Sequence, residues 1–65
     1  MIYTFRINDG TDCPIVTDRD LRDDATALRY ASRWVGDSAR DVTVFRGTER
    51  QVAAGNARRV GEVRE

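Results

Sequence analysis

Sixty-five residues, 40% apolar and 34% charged, make one folded domain (residues 1–65) with a single thin core. A chain this short buries only about 60% of the surface its unfolded form exposes, so no second layer is left to wall a catalytic cleft. All eleven basic residues are Arg and balance eleven acids. With no His and no Lys, the commonest proton-transfer group and the amine of Schiff-base or P-loop chemistry are both missing.

Residues 2–8 alternate as a strand, with Tyr3, Phe5 and Ile7 on one face and Ile2, Thr4, Arg6 and Asn8 on the other. Asn8-Asp9-Gly10-Thr11-Asp12 is a turn, because Asp-Gly accepts positive φ cheaply. Cys13–Thr17 pairs back as a short strand, and Pro14 confines it to an edge. A helix follows, capped at Thr17 or Asp18. Its stripe is Leu21, Ala25, Leu28, Ser32 and Val35, widened by Ala27, Ala31 and Trp34, and Gly36 ends it. The small Ala residues let this helix lie close to the sheet.

Asp41–Arg46 is the next strand, with Val42 and Val44 on one face and Thr43 and Phe45 on the other. Gly47-Thr48-Glu49 turns it into a hairpin partner at Gln51–Ala54. Gly55-Asn56 turns again, and Arg58–Val63 adds a last strand with a bulge or bend at Gly61. The order β-(β)-α-β-β-(β) predicts an α+β fold: an antiparallel sheet of three to five strands with one helix packed on one face.

The single Cys13 excludes an internal disulfide and reads as a small buried hydrophobe. No apolar run reaches the ~18 residues of a membrane span. Met1–Arg6 lacks the basic-then-apolar order of a signal peptide. Together these predict a cytoplasmic protein.

The neutral total argues against strong non-specific nucleic-acid binding, but the charge is uneven. Residues 9–24 carry six Asp against Arg19 and Arg22, and residues 38–65 carry six Arg against four acids. The acids match no EF-hand loop and suit the positive end of a helix, so no metal and no other cofactor is expected. Ser32, Ser38, Thr17 and Cys13 have no His or Lys to activate them, and the five glycines form no phosphate loop, so no catalytic residue is assigned. Arg suits interfaces, since it makes planar bidentate contacts and stays charged when partly desolvated. Two oppositely charged surfaces result. One is Tyr30 with Arg46, Arg50, Arg58 and Arg59, where Arg46 and Arg6 lie on the sheet face away from the helix. The other is the acidic patch Asp20, Asp23 and Asp24.

The segment Ala27-Leu28-Arg29-Tyr30-Ala31-Ser32-Arg33, followed by Val42-Thr43-Val44-Phe45-Arg46, resembles the helix-to-strand centre of small phage-borne β-α-β-β proteins, anti-CRISPR inhibitors among them. Val52–Val60 is similar to the closing hairpin of that pattern, so the resemblance spans residues 27–60. It implies a viral protein, active in the host cell cytoplasm, that binds a CRISPR-Cas effector complex and blocks nucleic-acid recognition. The expectation is therefore a small non-enzymatic inhibitor or adaptor with a protein partner. The alternatives are an Arg-rich RNA- or DNA-binding module and a self-associating subunit that pairs edge strands as a homodimer.

Overall fold

The computed structural model spans residues 1–65 and is α+β. Strands β1 (Ile2–Asn8), β2 (Ile15–Asp18), β3 (Asp41–Gly47) and β4 (Arg58–Arg64) form one antiparallel sheet in the order β2-β1-β3-β4. Helix α1 (Asp24–Asp37) crosses one face, called inner below. A short helix α2 (Glu49–Ala53) packs against β1 and β3, between β3 and β4 in the chain.

The two central strands run over the residues expected of them. Cross-strand pairs Tyr3–Arg46, Phe5–Val44 and Ile7–Val42 fix which side chains share the inner face. Phe5, Val42 and Val44 are wholly buried there beneath Ala27, Ala31 and Val35 of α1. The spacing i, i+4, i+8 of those three small residues sets the helix down close to the strands. Leu28, Tyr30 and Trp34 flank this line half-buried, while Ala25 and Ser32, expected on the buried stripe, are exposed.

Helix α1 begins later than expected. Asp18 belongs to β2, where it pairs with Tyr3, so a cap at Thr17 or Asp18 is ruled out by the sheet. Asp23 caps instead, its carboxylate accepting from the Thr26 N–H at 2.8 Å. Gly36 lies inside the helix, and the Ser38 N–H closes the C-terminus on the Trp34 carbonyl.

The expected hairpin strand at Gln51–Ala54 is helix α2. Thr48 and Gln51 form a reciprocal capping box: the Thr48 hydroxyl accepts from the Gln51 N–H and the Thr48 N–H donates to Gln51 Oε1. At the far end Gly55 takes φ +74°, its N–H donates to the Val52 carbonyl, and the Asn56 N–H reaches the Gln51 carbonyl. That is a Schellman closure, which stops the helix after five residues. Residues 52–60 are thus the end of α2, a turn and the start of β4, not a closing hairpin.

In β4 the register steps from Val44–Gly61 to Phe45–Arg59, leaving Val60 as the extra residue of a bulge. A Cβ on Gly61 would lie 3.3 Å from Leu28 Cδ2, so glycine at this point also admits α1.

Candidate functional site

Three side chains join α1 to the sheet. Tyr3, 2% exposed, donates its hydroxyl to Asp24 Oδ1 at 2.7 Å. Arg46 Nη1 reaches both carboxylate oxygens of Asp24 at 2.9 Å. Tyr3 and Arg46 are cross-strand partners, so Arg46 stands on the inner face beside the helix, not on the face away from it. Burial of Tyr3, reinforced by its bond to Asp24, raises its pKa, and Arg46 partly opposes this. Asp24 and Arg46, assigned from the sequence to opposite patches, are one another's ion-pair partners.

Tyr30 likewise serves the fold. Its ring lies 5.5 Å from Phe5 and meets Trp34 edge-on at 4.9 Å, a three-ring cluster along the flank of α1. Arg58 and Arg59 fall on opposite faces of β4, opposite Arg46 and Phe45 respectively. Glu62 takes ion pairs from both Arg59 and Arg64, and these, with Arg6 nearby, hold its carboxyl below the usual range. Arg6 of the outer face lies 5.8 Å over the Phe45 ring. The Arg set is therefore dispersed, and its outer-face members are largely matched by Glu62 and Phe45.

Of the expected acidic patch, Asp23 and Asp24 adjoin at the start of α1, and Asp20 lies apart from them. Asp9 closes the β1–β2 turn by accepting the Thr11 and Asp12 N–H groups, which lowers its pKa. Asp23 is lowered by the Thr26 N–H it caps. Asp18 accepts from the Asp20 N–H. Asp20 lines an open hollow between β2 and α2, where Arg50 lies on the other wall and Arg19 pairs with Glu49 at 2.8 Å. Of the candidate residues, Asp20 and Arg50 line one concavity, and Asp23, Asp24 and Arg46 line another, where Asp24 and Arg46 form an ion pair.

The distinctive concavity lies next to that hollow, on the outer face. A groove of about 250 Å³ is floored by Thr4, Thr17 and Phe45 and walled by Val52 and Ala57. Ile15 and Arg6 stand at its margin. Strand β2 forms one bank, and it packs against no element except β1: α1 lies over β1, β3 and β4, and α2 over β1 and β3. Consequently Ile15 is 68% exposed on the outer face and Val16 37% exposed on the inner one. Cys13, expected inside, is exposed just before this strand.

These residues were not selected from the sequence. The available signal was Pro14-Ile15-Val16-Thr17, a β-branched run after a Pro that marks an edge. The groove walls come from α2, whose residues the sequence had been taken to spend on a hairpin strand, and from the turn that follows it.

Comparison with protein-family models, curated proteins and solved structures gave no match to this chain.

Proposed function

We propose that this is a non-catalytic protein-binding domain that engages its partner through β2 and the outer-face groove. The observation that supports it most is β2 itself, an edge strand with large β-branched side chains exposed on both faces, bordering a preformed apolar groove. Apolar grooves with a few polar groups are binding sites. The polar groups here are two Thr hydroxyls and one guanidinium, which can hydrogen-bond a partner.

The acting surface thus moves from Tyr30, Arg46, Arg58 and Arg59 to Ile15, Val16, Thr17, Phe45 and Val52, with Asp20 and Arg50 at the rim. Nucleic-acid binding on the sheet is less well supported. A stacking platform needs free aromatic faces, and Phe45 is half-buried beneath Arg6. An exposed, unpaired thiol at Cys13 suits a reducing compartment such as the cytoplasm. An inhibitor that occupies a site on a larger complex, a CRISPR effector included, fits this mode of action.

The test is affinity capture from the lysate of the native host with wild-type protein, Ile15→Asp and Arg58→Ala. A partner retained in stoichiometric amount by wild type and Arg58→Ala, and lost with Ile15→Asp, is the expected result. Retention unaffected by Ile15→Asp, or no retained protein at all, overturns it.

A further inference from the structure

We infer that β2 accepts an extended segment of the partner as a fifth strand, and that this segment alternates apolar residues with others and carries Lys or Arg. The inference rests on the binding site proposed above and names how that site is used.

The hydrogen-bonding direction of β2 follows from one contact. The Ile7 N–H donates to the Pro14 carbonyl at 2.9 Å, which makes residues 7 and 14 a hydrogen-bonded antiparallel pair. In the register Phe5–Val16 and Tyr3–Asp18, every second pair repeats this, so Val16 and Asp18 turn their backbone groups toward β1. Ile15 and Thr17 turn theirs outward, to an edge that no element covers. The same two residues line the groove. A strand added at this edge therefore bonds to Ile15 and Thr17 and places alternate side chains over the groove, the geometry of strand addition.

The opposite edge is closed to such pairing. β4 carries the Val60 bulge and the charges Arg58, Arg59, Glu62 and Arg64, devices that keep sheet edges from joining.

Charge selects the occupant. Residues 9–20 contain Asp9, Asp12, Asp18 and Asp20 and the single cation Arg19. Arg19 is ion-paired with Glu49, and none of the four Asp has an ion-pair partner. Of the other cations nearby, Arg6 lies over Phe45 at the groove margin and the Arg40 guanidinium packs on Gly10 in the β1–β2 turn, and neither forms an ion pair with these Asp. Arg50 stands across the hollow on α2. A second copy joined β2 to β2 would bring two such acidic segments together, whereas a segment bearing Lys or Arg complements them. An edge of four residues, about 13 Å long, is also far short of what a standard dimer interface spans.

The test uses full-length protein and two synthetic peptides of alternating Val and Thr, one ending in Arg at both termini and the other in Glu. Amide hydrogen exchange is followed by NMR. The Arg peptide is expected to slow exchange at Ile15 and Thr17 by at least about tenfold, with β4 amides unchanged and the Glu peptide without effect. Three results overturn the inference: no slowing with the Arg peptide, equal slowing with both peptides, or slowing that grows with protein concentration alone. In Thr17→Pro, checked for its fold by far-UV circular dichroism, the protection at Ile15 is expected to disappear. Should Ile15→Asp abolish partner capture while the peptides leave the edge unprotected, strand addition is refuted and the binding site stands. If Ile15→Asp has no effect on capture, the site itself is refuted.

Discussion

Replacing Tyr3 by Phe removes one hydroxyl and leaves the ring in place. A hydrogen bond to a charged acceptor contributes about 1.5–3 kcal/mol. Asp24 retains Arg46 and its side chain is 42% exposed, so water replaces part of what is lost and the net cost at neutral pH falls to about 1 kcal/mol. In a domain of this size that lowers Tm by roughly 4–8 °C. The pH dependence is more diagnostic. Tyr3 has a raised pKa in the folded protein, so between its ordinary value of about 10 and the folded value the native state holds a proton that the unfolded state has released. The Tyr3 contribution is complete below pH ~10 and is lost as pH rises through the folded pKa. With no Lys or His in the chain, the alkaline limb is unusually simple, and Tyr30 is common to both proteins. Urea unfolding followed by the fluorescence of Trp34, the single tryptophan, from pH 7 to 11 is the assay. Wild type is expected to exceed Tyr3→Phe at neutral pH, and the two curves to converge above pH ~10. Parallel curves across that range would refute the link between Tyr3 and Asp24.

Other substitutions carry their own expected outcomes. Phe5→Ala removes one of three mutually packed rings and costs about 3–5 kcal/mol, half or more of the roughly 3–10 kcal/mol available to the whole domain; Phe5→Leu, with less lost volume, stays folded, as thermal melts will show. Thr48→Ala costs about 1 kcal/mol through the capping box, and Gly55→Ala about 1–2 kcal/mol because φ is +74° with no clash to share the blame, both read by urea midpoints. Asp9, Asp23 and Glu62 have lowered pKa values, so the stability they contribute is present above their ordinary values near 4 and is lost as pH falls through the folded ones. Asp23→Asn should flatten that acid limb in an unfolding series from pH 6 to 2.

The strands β1 and β3 were legible because apolar residues recur at every second position, Tyr3, Phe5 and Ile7 in one and Val42 and Val44 in the other, and each runs into turn residues. The start of α1 was not, since Asp18, Asp20 and Asp23 are all acceptable caps by local chemistry. The choice among them is made by Tyr3, which holds Asp18 in the sheet. Helix α2 was written in the sequence as Thr48-x-x-Gln51 and Gly55, but Val52-Ala53-Ala54 next to a glycine was given to a strand, and a five-residue helix has no periodicity to correct this. Charge placed Arg46 on an interface, and only the cross-strand pairing with Tyr3 reveals its partner in Asp24. The groove joins β1, β2, β3, α2 and the turn before β4, so no local pattern could disclose it.

The claim that β2 and the outer groove form the working surface is tested most directly by mapping the footprint of the captured partner on the isotopically labelled protein by NMR cross-saturation. Saturation is expected at Ile15–Asp18, Phe45, Val52 and Ala57, with α1 and the β4 edge untouched. A footprint centred on Tyr30 and Trp34, or on Arg58 and Arg59, would contradict it.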